Sequence, residues 1–203
     1  MTPVYKLSAN SVKNGRTVYG SMLAGNPVYV VPTDFESIAT VTVGSGGAAS
    51  VTFSSIPATY THLQIRAIQR AVDNVSGDHP YIRVNNDTAT NYSWHRLSGS
   101  GTTATAGAAS TQDEIRYGYN TADGSYSSSV FTGVIIDILD YAHTNKYKTF
   151  RFLSGADNNG SGYVDFESGL WQSTSAITRI DLAPFQGNFA QYSHFALYGC
   201  KSA

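Results

Sequence analysis

The chain has 203 residues and a formal net charge of −1, with 41% hydrophobic and only 13% charged residues. A nearly neutral chain lacks the positive field that draws proteins to nucleic acid, so nucleic-acid binding is not expected. The single cysteine, Cys200, excludes an internal disulfide framework, and no run reaches the roughly 18 apolar residues of a membrane-spanning helix. The length fits one all-β domain with an extra arm, or two small domains.

Residues 1–33 form the first predicted element, an extended N-terminal arm. Their apolar side chains keep no sustained period, and glycine and proline interrupt them repeatedly, so the segment cannot close a core alone. We expect the arm to lie on its own domain, on a sister subunit or on a shell protein; a pair of ordinary strands in the main sandwich is the alternative. The first residues, MTPVYKLSANSV, show no apolar stretch of the kind found in export signals. The candidate interface residues in the arm are Tyr5, Leu7, Val12, Tyr19, Met22 and Leu23.

Three predicted strands follow between residues 35 and 66. Apolar side chains recur at every second position in three pairs, Val41 and Val43, Val51 and Phe53, and Leu63 and Ile65. A period of two is typical of strands with one buried face. The glycine-rich residues 44–47 predict a turn, and Pro57 marks the end of the second strand because proline cannot donate to a sheet ladder.

The rest of the chain continues the pattern of short strands separated by turn residues. The predicted strands are residues 81–84, 92–97, 114–119, 130–139, 149–153, 164–170, 177–182 and 195–200. No segment keeps a helical period over three turns. The pattern favours an all-β fold, a jelly-roll-like β-sandwich of about ten strands over residues 34–203.

Two segments rich in small polar residues, 98–110 and 121–129, are predicted to be long loops at one end of the sandwich. Loops on a rigid scaffold often carry binding function, and surface loops without a partner are the alternative. Arg66 and Arg70 are expected on one strand face, as solvated charges that discourage strand pairing.

Motifs of catalysis are missing from the sequence. It contains no G-x-S-x-G, no phosphate-binding loop, no H-E-x-x-H and no histidines spaced i, i+4. Pairs of carboxylates such as Asp137 and Asp140 could serve a glycoside hydrolase, but nothing singles one out. We therefore expect a protein that is not an enzyme and that needs no cofactor.

One segment, residues 157–162, partly matches a calcium-binding loop. Asp157, Asn159 and Ser161 offer oxygens at the spacing of the first half of such a loop. The closing glutamate should stand at position twelve, which is Ser168, and Glu167 misses it by one residue. A hairpin turn explains the same residues, because asparagine and glycine accept positive φ, and it is the favoured interpretation.

Aromatic side chains flank the polar segments. Trp94, Tyr117, Tyr119 and Tyr126 are candidate contact residues for a glycan or a partner protein, because exposed rings stack on sugars and anchor interfaces. Core packing is the alternative interpretation for part of this set.

The residues 36–66, ESIATVTVGSGGAASVTFSSIPATYTHLQIR, also carry a resemblance. Further matching segments are VIIDILDY at 134–141, KYKT at 146–149, SGADNNGSG at 154–162, GLW at 169–171 and FALYG at 195–199. Over about residues 35–200 the chain resembles β-sandwich structural proteins of tailed bacteriophages.

The resemblance implies a virion protein that is assembled in the host cytoplasm. It implies a subunit of the tail, neck or fibre apparatus, anchored by its arm to tail, neck or major capsid proteins, and a homo-oligomer with a trimer favoured. A capsid decoration protein and a carbohydrate-binding adhesin for the host surface are the alternatives.

Overall fold

Twelve β-strands make up the regular secondary structure of the residues that the structure describes. This computed structural model describes residues 34–73, 79–119 and 121–201. The strands are β1 (Phe35–Thr42), β2 (Val51–Phe53), β3 (His62–Gln69), β4 (Tyr81–Val84), β5 (Tyr92–Gly99), β6 (Ala104–Gln112), β7 (Ile115–Arg116), β8 (Thr132–Leu139), β9 (Lys148–Asp157), β10 (Gly162–Trp171), β11 (Ile180–Ala183) and β12 (His194–Cys200). The all-β prediction is confirmed, with twelve strands where about ten were expected. The predicted arm and its six candidate interface residues lie outside the described residues.

The strands form two antiparallel sheets that enclose one core. The larger sheet has the order β1-β12-β3-β8-β9-β10-β5-β6, and the smaller has the order β2-β11-β4-β7. Eight strands pair in a nested way: β1 with β12, β2 with β11, β3 with β8 and β4 with β7, and successive pairs alternate between the sheets. This nesting is the topology of a jelly roll. Within the described ranges, no helix is long and apolar enough to cross a membrane.

Two hairpins are inserted into this jelly roll. The β5–β6 hairpin lies between β4 and β7 in sequence, and the β9–β10 hairpin lies between β8 and β11. Both add their strands to the larger sheet beyond β8. The larger sheet therefore has a jelly-roll half (β1, β12, β3, β8) and an added half (β9, β10, β5, β6).

The core lies between the smaller sheet and the inner face of the larger one. Alternation places Ile65 of β3 opposite Ile136 of β8, and Ile136 opposite Phe152 of β9, and all three side chains are at most 1% exposed. The smaller sheet contributes the buried residues Val51, Phe53, Ile82, Val84, Ile115, Ile180 and Leu182. Because strands lie about 4.8 Å apart, four strands cannot cover a sheet of eight.

The edge of the smaller sheet and the segment that follows it cover part of the added half. Ile115 of β7 packs on Gly169 of β10 so closely that a Cβ at Gly169 would lie 2.7 Å from Ile115 Cγ2. The Tyr117 ring stacks on Phe152 of β9 at 5.3 Å, and the backbone N–H of Gly118 donates to the Glu167 carboxyl of β10. Irregular backbone thus lies over β9 and β10, and its polar groups need polar partners below.

The prediction of a loop at residues 98–110 is wrong. Residues 104–112 form β6, which pairs with β5 from Gly99–Ala104 to Tyr92–Gln112. Small residues do not signal a strand by periodicity, but an edge strand needs only backbone hydrogen bonds to its one neighbour. Residues 121–129 contain no strand, in agreement with the prediction, yet Thr121, Ala122 and Asp123 are buried.

The prediction that Arg66 and Arg70 share a solvated face is also wrong for Arg70. That side chain is 8% exposed. Its guanidinium donates to the backbone oxygens of Tyr126, Ser127 and Val130 at 2.9–3.1 Å. β3 ends at Gln69, so Arg70 leaves the strand alternation and holds residues 126–130 in place.

A candidate protein-binding face

The outer face of the larger sheet carries a line of apolar side chains that cross four neighbouring strands. In the register of the sheet Ile135 of β8 lies opposite Leu153, Leu153 opposite Phe166, and Phe166 opposite Leu97. Their exposed fractions are 38%, 49%, 57% and 56% in that order. We call these four residues the apolar row. It ends at Ala106 on β6, which lies opposite Leu97.

A second line of residues runs beside the apolar row and leaves space next to it. It consists of Gly133, Gly155, Val164 and Gly99 in register. Val164 is 62% exposed, and a Cβ added at Gly99 or Gly133 would meet no atom within 4 Å. The glycines leave a shallow depression beside Val164 and the apolar row, into which side chains of another molecule can fit.

Polar residues border the apolar row on its other side. Asp137, Arg151, Ser168 and His95 lie opposite one another across β8, β9, β10 and β5, and Asp137 accepts a hydrogen bond from the Gln64 amide. An apolar centre with a polar border is the usual composition of a protein-binding surface.

The outer face of β1, β12 and β3 is more mixed, because several of its groups pair with one another and one apolar side chain, Ile68, is 48% exposed. The Phe35 and Tyr198 rings stack at 4.7 Å, and the Arg66 guanidinium lies over both, 5.2 and 5.9 Å from their centres. Arg66 also donates to the Gln64 side-chain oxygen. The contrast places the candidate face on β8 and the added half.

Two carboxyl groups lie on the inner side of the added half. Asp165 and Glu167 alternate with the exposed Phe166 and are 2% and 3% exposed. Burial raises the pKa of Glu167 to about 8, although its hydrogen bond from Gly118 acts in the other direction. Burial also raises the pKa of Asp165, against the hydroxyls of Ser98 and Ser154 and the charge of Arg96. A protonated carboxyl could act as a general acid, but one so enclosed supports the overlying segment instead.

A stack of side chains adjoins these carboxyls. The Arg96 guanidinium lies 3.5 Å from the centre of the Tyr119 ring, and the Tyr119 ring stacks on His79 at 4.4 Å. Burial, with the charges of Arg96 and Arg116, lowers the pKa of His79 to about 4, so this histidine is neutral at pH 7. Arg96 supplies a positive charge beside two buried acids, and its stacking fixes the position of residues 117–119.

The structure does not unite the four aromatic residues predicted as contact residues. Tyr117 is 1% exposed and belongs to the core, so its prediction as a glycan or partner contact is corrected. Trp94 is partly buried against the core, and Tyr119 is held in the Arg96 stack. Tyr126 is partly buried, and burial raises its pKa. These rings form no common exposed platform.

The segment that resembles a calcium loop is the turn of the β9–β10 hairpin. Asn159 and Gly160 have φ values of 59° and 95°, and Asp157 Oδ1 accepts a hydrogen bond from the Gly160 N–H. Asp157, Asn159 and Ser161 therefore shape a turn, which was the favoured interpretation. Among the described residues no group of three or more His, Cys, Asp or Glu side chains could hold a metal ion.

Strand alternation does not predict the apolar row, because it indicates one apolar face per strand. A signal exists at residues 134–136, where Val, Ile and Ile follow one another and Ile135 falls on the outer face. Runs of consecutive apolar residues in a strand indicate that both of its faces meet other groups.

Comparison with known proteins adds no relative from which a role could be transferred. No family model matches the chain, and the comparisons with curated proteins and with solved structures found no match.

Proposed function

We propose that the protein is a non-enzymatic structural subunit that binds another protein through its apolar row. The observation that carries this proposal is the contiguous set of exposed apolar side chains, Ile135, Leu153, Phe166 and Leu97, on four adjacent strands. Because the sheet is rigid, its backbone need not be ordered when a partner binds. A large aromatic side chain near the centre of such a patch contributes strongly to binding.

We further propose that the assembly is the virion of a tailed bacteriophage. Support comes from the resemblance of residues 35–200 to structural proteins of such phages. The proposed place is the tail, neck or fibre apparatus, with tail, neck or major capsid proteins as partners and the arm, residues 1–33, as an additional anchor. The chain would then be assembled into particles in the host cytoplasm, and it would need no cofactor.

A capsid decoration protein would use the same face to bridge neighbouring capsid subunits, so it differs in location and not in mechanism. The carbohydrate-binding adhesin has less support. Its candidate residues include Tyr117, which is buried in the core, and Tyr119, which is engaged by Arg96. Sugar stacking requires accessible ring faces.

The proposal is tested by replacing Phe166 with serine in the complete chain and measuring its amount in purified particles by quantitative mass spectrometry. We expect incorporation to fall by about tenfold, the effect of losing one central aromatic contact. Val72→Ser is the matched control, because Val72 is 54% exposed but lies beyond the end of β3. It should be incorporated like the unaltered chain.

The outcomes separate the two parts of the proposal. Equal incorporation of both variants would contradict the role of the apolar row, while absence of the unaltered chain from particles would contradict the virion assignment. Binding in a glycan array that is abolished by Trp94→Ala and unaffected by Phe166→Ser would favour the adhesin.

A further inference from the structure

The outer edge of β6 is built differently from the other sheet edges. β6, ATAGAASTQ, has nine residues with no charged side chain and no proline. Among the described residues only β5 pairs with it. An edge strand of this kind presents a row of free backbone donors and acceptors, and proteins usually protect such edges with charges, proline or bulges.

The other three edges are protected or short. β1 carries Glu36, which accepts hydrogen bonds from Tyr60 and Lys201, and its register shifts between Ser37 and Ala39. β2 has three residues and β7 has two. β6 is therefore the one long uncharged edge among the strands that the structure describes.

We propose that β6 pairs with β6 of a second copy of this chain, joining two larger sheets edge to edge. Two identical antiparallel edges pair around a twofold axis, so only the residue at the axis lies opposite its own counterpart; with the axis at Ala106, Ala104 of one copy lies opposite Ala108 of the other. A charged residue at the axis would face the same charge, which destabilises a sheet. The uncharged β6 is compatible with self-pairing in this register, whereas a charged partner strand would be better matched by an edge of opposite charge.

The regular part of β6 has the length and side chains that the pairing needs. Residues 104–109 stay in continuous register with β5, and the register shifts only beyond them, where Thr111 has a φ of 58°. The outer side chains of this stretch, Ala104, Ala106 and Ala108, are small and exposed. Pairing would place the apolar rows of the two copies end to end across the axis, since each row ends at Ala106.

This geometry predicts a dimer, in place of the trimer expected from the resemblance. The dimer prediction concerns the purified chain alone, so it can be confirmed or contradicted independently of the proposed virion function.

The test is the oligomeric state of the complete chain, measured by sedimentation velocity over a range of micromolar concentrations. We expect a dimer, and we expect Ala106→Lys to raise its dissociation constant by at least about tenfold through like charges at the axis. Thr40→Lys is the matched control, because Thr40 is exposed on β1, the opposite edge strand of the larger sheet. It should leave the dimer unchanged.

Circular dichroism establishes that each variant is folded, and Ala106→Glu, which also places like charges at the axis, replaces Ala106→Lys if the latter is not. A monomeric unaltered chain at all concentrations would overturn the proposal. So would a dimer that resists the charged substitution at Ala106, or one that dissociates with Phe166→Ser alone, which would indicate pairing of faces. Amide exchange protection of β6 in a monomer would identify another segment of the chain as its partner and would equally overturn it.

Discussion

The two halves of the larger sheet are built in opposite ways. In the jelly-roll half, apolar residues such as Ile65 and Leu197 point inward to the smaller sheet, and the outer face carries Arg66 with its two rings beside the exposed Ile68. In the added half, the inner face includes Asp165 and Glu167, and Leu153, Phe166 and Leu97 are exposed on the outer face.

The difference follows from what covers each inner face. The smaller sheet covers much of the jelly-roll half, where most buried side chains are apolar. At the end of β3 and the start of β8, the buried Gln69 and Thr132 instead pair with Tyr117, Thr121 and the Ala122 N–H. Irregular backbone around Gly118 covers part of the added half, and its N–H groups need acceptors such as Glu167. The outer apolar row then has no counterpart among the described residues on its own side of the sheet, which is why we assign it to a partner.

The largest expected effect compares two isoleucines that are adjacent in β8. Ile136→Ala removes a side chain that is 1% exposed and should lower the free energy of unfolding by about 2–5 kcal/mol, since it leaves a cavity. Ile135→Ala, on the outer face, should cost less than about 1 kcal/mol. Denaturant unfolding of both variants measures the contrast, and equal losses would show that the outer face is buried within the folded chain.

Next in size is a comparison of two arginines. Arg70→Met leaves the carbonyls of Tyr126, Ser127 and Val130 without their donor and should destabilise the chain by about 2–3 kcal/mol. Arg66→Met removes an exposed side chain and should cost less than about 1 kcal/mol. Amide exchange should increase around residues 126–130 only in the Arg70 variant; unchanged exchange there would refute its anchoring role.

The smallest effect is a pH dependence confined to the added half. The pKa of Glu167 is about 8 in the folded chain, above its ordinary value of 4.5, so the folded state keeps a proton that the unfolded state has lost. The stability that this retained proton gives the folded state is fully present below pH 4.5 and is lost as pH rises through 8. Between pH 6.5 and 8 the unfolding free energy should fall by about 2 kcal/mol.

Glu167→Gln should remove this slope, because an amide does not titrate, whereas Glu36→Gln on β1 should retain it. His79 does not affect the slope in this range. Its pKa is lowered to about 4, so the stability it gives the folded state is fully present above pH 6.5 and is lost only as pH falls toward 4. Asp165 and Arg96 face the same carboxyl and are present in both variants. A slope that persists in Glu167→Gln would assign the titration to Asp165.

Local patterns predicted most strands of the jelly roll and their inner faces. Val134, Ile136 and Ile138 alternate in sequence and are buried in the structure, because alternation is a property of a few consecutive residues. β6 was missed since alanine, threonine and serine show no such alternation, and its strand character depends on pairing with β5.

The candidate site is less accessible to sequence reasoning. The sequence predicts Tyr117 as a contact residue, with core packing as the alternative, and Arg70 as a solvated charge; both are buried, by Phe152 and by residues 126–130. Leu97, Ile135, Leu153 and Phe166 come from three separate parts of the sequence, and they form one row only because the inserted hairpins join the sheet beside β8.

The sequence by itself thus determined the all-β class, the sandwich and the direction of most core side chains, since these depend on period-two patterns and turn residues. Only the tertiary structure decided the order of the strands, the burial of Glu167 and Arg70 and the apolar row. Strand order results from pairing between distant segments, and whether a side chain is buried depends on what the rest of the chain places over it.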